Sequence, residues 1–126
     1  PKQMRGYWLN HYFPKMLADS IKQMPSLDLV ETSIKKAGFN IISTEKYNIA
    51  KDLEDQFLYC GKENPELYFN ENIRNGISSF SHLSNKEEVE KGLLKLRNDI
   101  DSNTIDEIMD SYKNTLGDYL FITAQK

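Results

Sequence analysis

Ser26-Leu-Asp-Leu-Val-Glu-Thr-Ser-Ile-Lys-Lys-Ala-Gly-Phe-Asn-Ile-Ile-Ser-Thr-Glu-Lys-Tyr-Asn-Ile49 is the stretch on which the fold turns. Ser26 is placed to cap a helix, its hydroxyl accepting from a first-turn N–H that has no partner inside the helix. Leu27, Val30, Ile34 and Ala37 follow at helical spacing and share one face. Lys35 and Lys36 fall in the last turn, where cations complement the negative end of the helix dipole. Gly38 is the left-handed stop expected there. From Asn40 to Ile49 the residues turn β-branched and aromatic, which predicts a strand. The stretch therefore reads helix, Gly-Phe turn, strand, which is half of a βαβ crossover.

Upstream, residues 4–13 are dense in aromatics and read as a helix that Pro14 breaks or restarts. Residues 15–23 continue helically to Met24-Pro25. Downstream, the spacing of Leu53, Phe57 and Cys60 predicts a helix over 52–60. Asn64-Pro65-Glu66 reads as a cap and a proline opening a short helix to Asn70. Residues 77–83 are ambiguous between helix and loop. Ser84-Asn-Lys-Glu87 and Thr104-Ile-Asp-Glu107 have the form of capping boxes. The first precedes an apolar stripe of Val89, Leu93, Leu96 and Ile100; the second precedes Ile105, Ile108, Met109 and Tyr112. Residues 118–125 read as a strand, apolar on both sides of its alternation and so suited to burial on both faces. Two strands far apart in sequence do not make an independently stable sheet. The chain asks for more sheet than it supplies, from an upstream segment or a partner chain.

The chain has 126 residues, 39% hydrophobic and 28% charged, with a net charge of −3. That suits one region over residues 1–126 and a folded, non-repetitive protein. No basic block is present, which speaks against a nucleic-acid partner. No apolar run reaches membrane-spanning length, so no membrane role is expected. One cysteine, Cys60, fits a reducing, cytoplasmic setting. The first residue is Pro1 and not methionine, which reads as a fragment or a processed product. Open edges on two lone strands lead to the expectation that such a fragment dimerises or swaps strands.

Few residues carry chemistry. Six glycines are scattered, with no phosphate-binding loop among them. His11 and His82 have no metal-ligand spacing, so no metal site is expected. Asp99, Asp101, Asn103 and Asp110 fall at positions 1, 3, 5 and 12 of a calcium loop. Thr104 replaces its turn glycine, and Asp110 is shorter than the bidentate glutamate such a loop needs. The pocket-like features are the aromatic cluster Tyr7, Trp8, Tyr12 and Phe13 with His11 beside it, and Arg74 with Ser78 around the Asn75-Gly76 turn. An arginine beside a glycine turn and serines suits a carboxylate or other polar substrate group.

The order Phe13-Pro14, Pro25, a helix ending Ala37-Gly38-Phe39 and a strand from Asn40 resembles the C-terminal half of class I S-adenosylmethionine-dependent methyltransferases. In that fold a helix with a Gly-Phe turn leads into the sixth strand, and the seventh returns antiparallel. Gly117-Asp-Tyr-Leu-Phe-Ile-Thr-Ala124 looks like that last strand. The region 51–116, with Arg74-Asn-Gly-Ile-Ser-Ser-Phe80, resembles a helical insertion between the two. The resemblance implies a Rossmann-like α/β parent, of which this chain is a helix-rich α+β piece with strands 40–49 and 118–125 paired antiparallel. It implies methyl transfer from S-adenosylmethionine to a small-molecule acceptor by the full-length enzyme, with the fragment alone inactive and binding no cofactor. It implies an acceptor wall drawn from Tyr7, Trp8, His11, Tyr12, Arg74 and Ser78. The competing readings are a non-enzymatic helical interaction module and a calcium-binding helix–loop–helix.

Overall fold

The Ser26 hydroxyl accepts from the backbone N–H of Leu29 at 3.2 Å, and the helix it caps runs Leu27–Lys36. Gly38 follows with φ +82°, a left-handed conformation that a side chain would strain. The computed structural model describes residues 1–52 and 54–126. Its regular elements are α1 (Lys2–Arg5), α2 (Pro14–Gln23), α3 (Leu27–Lys36), β1 (Asn40–Tyr47), α4 (Glu71–Gly76), α5 (Lys86–Asp101), α6 (Ile105–Ser111) and β2 (Tyr119–Gln125). Short 3-10 helices at Trp8–His11 and Pro65–Phe69 and a π-helical turn at Ser79–Leu83 join them.

β1 and β2 pair antiparallel from Asn40↔Gln125 to Tyr47↔Tyr119, with a register shift between Ile41 and Ser43. They form a two-stranded sheet, so among the described residues each strand keeps one unpaired edge. The double-sided burial that suits the apolar pattern of β2 is not met here. Phe121 is 57% exposed and Ile42 on β1 is 59% exposed. No residue of α3 is buried either. Of the nine exposed large hydrophobics among the described residues, all but Leu94 lie between Met24 and Tyr47 or on β2.

The core is elsewhere, in the helical body. Tyr7, Trp8, Leu9, Phe13, Met16, Leu17, Tyr68, Phe80 and Leu96 are buried together. The two apolar stripes sit as their spacing predicts: Leu96 and Ile105 are buried, while Val89, Leu93, Ile100, Ile108, Met109 and Tyr112 pack half-buried against the core. Arg97 on α5 grips Glu66 with two parallel bonds of 2.8 Å and lies over the Phe69 ring. This clamps the Pro65–Phe69 turn to α5.

Pro14 opens α2 at its first position, where its missing N–H costs nothing. The residue before it, Phe13, offers no side-chain cap. Glu88 on α5 supplies one instead: its carboxylate accepts from Lys15 N at 2.7 Å and from Met16 N at 3.2 Å. A carboxylate there also meets the positive end of the α2 dipole. The cap of α5 itself lies one residue later than its motif suggests. Asn85 Oδ1 accepts from Glu88 N at 2.9 Å, and Ser84 turns away to Phe80 O. Thr104 makes no cap bond to α6; its hydroxyl donates to Asp99.

Two predicted helices need correction. Residues 4–13 do not form one helix. Tyr7 is extended (φ −96°, ψ 128°), and the Asn10 amide donates to the carbonyls of Met4 (2.6 Å) and Tyr7 (2.7 Å). A short polar side chain thus competes with the helix ladder. The extended residue lets three successive side chains, Tyr7, Trp8 and Leu9, all enter the core. The predicted helix over 52–60 is also absent among its described residues; Leu53 lies outside them. Residues 57–63 are bends and turns wrapped around the Tyr68 ring. The Tyr68 hydroxyl donates to Leu58 O at 2.5 Å and accepts from Gly61 N at 3.3 Å. Those backbone groups are satisfied by tertiary contact and not by a helix ladder.

Candidate functional site

A cavity of about 580 Å³ opens between the Tyr7-Trp8 turn, residues 59–63, α6 and the entry to β2. This lies within the range of small-molecule sites, roughly 300–1,000 Å³. Its aromatic wall is Tyr7, Trp8, Tyr59 and Tyr112; its polar groups include Lys62, Glu63, Asp106, Asp110 and Asp118. No helix among the described residues is long and apolar enough to cross a membrane.

Each wall residue is held by its neighbours. The Trp8 indole N–H donates to Lys62 O at 3.1 Å, which fixes the ring. Trp8 meets Tyr12 and Tyr68 edge-on, with centroids 5.9 and 5.8 Å away. Tyr7 packs against Tyr59 with centroids 4.5 Å apart, and Tyr59 in turn meets Tyr119 at the start of β2. The Tyr7 and Tyr68 hydroxyls are in hydrogen-bond contact. Because the Tyr68 proton goes to Leu58 O, Tyr7 is the donor in that pair.

Asp118 sets the floor. It is 8% exposed, and its carboxylate accepts from Lys62 Nζ at 2.7 and 2.8 Å and from Ile49 N at 2.8 Å. It ties the exit of β1 and the entry of β2 to the helical body. Tyr59 is 4% exposed, yet its hydroxyl has no hydrogen-bond partner among the described residues. Buried polar groups are almost always paired, so this hydroxyl is an exception in the core. Burial first, then Tyr119 and Asp118, push the Tyr59 phenol well above its ordinary range. Burial and the Tyr68 contact do the same to Tyr7. Both stay neutral near pH 7 and act as hydrogen-bond groups, not as bases.

An unpaired buried hydroxyl destabilises the fold. Tyr59→Phe is therefore expected to raise stability by about 1 kcal/mol, the penalty of one unsatisfied group. Urea unfolding of the two forms measures this. A loss of stability in the variant would mean that the hydroxyl already has a partner.

The sequence-predicted residues divide. Tyr7 and Trp8 line the cavity. Tyr12 is buried beside Trp8, but its hydroxyl donates to Asp99 at 2.9 Å. His11 stacks edge-on against Tyr12 at 5.0 Å, and burial, then Lys95, lower its pKa. Arg74 donates to Tyr68 O at 2.7 Å. Ser78 lines a separate, smaller cavity with Ser20, Ser79 and His82. Tyr59, Lys62, Asp106 and Asp118 are new to the site. Asp118 was legible only as the first residue of a strand; Tyr59 had no local signal, because its segment reads as a helix with other residues inward. The Asp99 carboxylate of the calcium-like loop also accepts from the Thr104 hydroxyl, and no cluster of three metal-ligating side chains occurs among the described residues.

The cavity does not fit a nucleoside cofactor through a glycine cradle. A Cβ on Gly6 would meet the Asn114 side chain, and one on Gly117 would meet Lys46 and the Tyr47 carbonyl. Both glycines face protein, not open space. No step through such a cofactor follows from these residues.

No protein-family model matches the chain. No curated protein matches it either. Among solved structures, the chain is similar to one from Anabaena variabilis ATCC 29413, a 2.40 Å crystal structure described as a "Putative methyltransferase from antibiotic biosynthesis pathway". The two are 29% identical, with a TM-score of 0.73 over 92% of this chain and 47% of that one. The chain thus spans about half the length of that protein and shares the corresponding part of its methyltransferase-like fold, as a small antiparallel sheet with surrounding helices.

Proposed function

We propose that the chain is the C-terminal, acceptor-side part of an S-adenosylmethionine-dependent methyltransferase, and that the Tyr7-Trp8-Tyr59 cavity receives the small-molecule acceptor. The observation that carries this reading is the structural similarity to the Anabaena protein over nearly the whole chain. The exposed apolar residues of α3, β1 and β2 support it as well, since a larger sheet would cover some of them. In this reading the cofactor is held by residues outside this chain. The chain's own part is to bind the acceptor, orient it and exclude water, which is where much of the rate advantage of such transfers arises.

The test compares two forms. The full-length protein is expected to bind S-adenosylmethionine with a Kd in the micromolar range, on the order of −8 kcal/mol; the 126-residue chain alone is expected to show no binding by calorimetry. Tight binding by the chain alone, or none by the full-length protein, refutes the reading.

A second reading, a helical interaction module, draws on the same exposed residues. The exposed Leu27, Leu29, Phe39, Ile42 and Phe121 could seat a protein partner or a second copy of this chain. Cofactor binding by the full-length protein separates it from the first.

A further inference from the structure

The cavity carries more acid than base. Glu63, Asp106, Asp110 and Asp118 line it, against Lys62 and Lys113. Three of the four carboxylates already have cations: Asp118 has Lys62 at 2.7 Å, Asp110 has Lys113 at 2.5 Å, and Glu63 has Lys51 at 2.5 Å. Asp106, exposed in the first turn of α6, has no ion pair among the described residues. Tyr7, Trp8, Tyr59 and Tyr112 line the same cavity with electron-rich rings. Such rings attract cations through their negative faces, most strongly where water is excluded. Tyr59 lines the same cavity, and its buried hydroxyl has no hydrogen-bond partner among the described residues.

From this juxtaposition we propose that the cavity recognises an organic cation: an aryl-alkyl amine in its ammonium form, the ring against the aromatic wall and the charge toward Asp106. The proposal rests on the reading of this cavity as the acceptor site. An acidic ligand would meet an excess of like charge. A neutral one would cover part of Asp106 without supplying a cation to it. Specificity of this kind comes as much from what the carboxylates repel as from what they hold.

The experiment is calorimetric titration of the full-length protein, without cofactor, at neutral pH. The probes are tyramine, its uncharged relative 4-ethylphenol and its acidic relative 4-hydroxyphenylacetate. Tyramine is expected to bind about tenfold more tightly than either of the others, the size of one well-placed cation contact. Asp106→Asn, at an exposed position that leaves the core intact, is expected to weaken tyramine about fivefold and leave 4-ethylphenol unchanged. Equal or tighter binding of the acid, an Asp106→Asn protein that binds tyramine as well as the parent, or no tyramine binding up to about 10 mM each overturns the proposal. None of these readouts involves methyl transfer. A protein that binds tyramine but not S-adenosylmethionine would therefore refute the methyltransferase reading and keep the cation site.

Discussion

Asp118→Ala is expected to cost about 3 kcal/mol of stability, the lower end of the range for breaking a buried ion pair from one side. The wild-type carboxylate accepts from Lys62 Nζ and from Ile49 N, both within 2.8 Å. Truncation strands the ammonium and orphans the backbone N–H. The Lys62 side chain is 34% exposed and can swing toward water, which keeps the loss from being larger. Asp118→Asn should cost less, because an amide oxygen can still serve Ile49 N. Urea unfolding of the three proteins gives the order directly, with the linear extrapolation applied to each. An alanine variant within about 1 kcal/mol of wild type would mean that the carboxylate does not tie the two strands to the helical body.

Gly92→Ala is the second large effect, and its sign runs against helix propensity. In an exposed helix interior the exchange would stabilise by about 1 kcal/mol. Here a Cβ would fall 2.6 Å from the Tyr12 carbonyl oxygen and 2.7 Å from a Phe13 ring carbon. Neither can yield easily. Tyr12 O is backbone, and Phe13 is fully buried and packed edge-on against Phe80 at 5.0 Å. Overpacking costs about 1–3 kcal/mol even where side chains can shift. The net expectation is a loss of about 2 kcal/mol, seen as a lower urea midpoint. Gly76→Ala is the control, since nothing among the described residues lies within 4 Å of its added Cβ. It should stay within about 0.5 kcal/mol of wild type. A Gly92→Ala protein as stable as the control would show that α5 can move away from Tyr12 and Phe13 at little cost.

The elements that could be read from sequence are those whose cause is local. Ser26, the Leu27–Ile34 spacing and Gly38 carry the α3 boundaries within a few residues of themselves. β-branched density marked β1 and β2, and the stripe behind Asn85 marked α5. The failures share another cause. In residues 4–13 an asparagine side chain takes the carbonyls a helix would use. In residues 57–61 a tyrosine hydroxyl arriving from Tyr68 takes Leu58 O and Gly61 N. Neither event has a periodic signature. The candidate site was half legible for the same reason. Tyr7 and Trp8 stood out as aromatic density. Tyr59 and Asp106 matter because distant segments place them on one cavity, and a linear reading cannot count the charges that face each other across it.

The cap that Glu88 lends to α2 has a kinetic side. Its bonds to Lys15 and Met16 span 73 and 72 residues of chain. An ordinary cap is in place as soon as its own turn forms. This one must wait until the intervening loop has closed, and the entropy of that closure comes before any reward from the contact. The first turn of α2 is therefore finished only when α5 arrives. Substitutions at Glu88 should act mainly on how fast the protein unfolds, and little on how fast it folds.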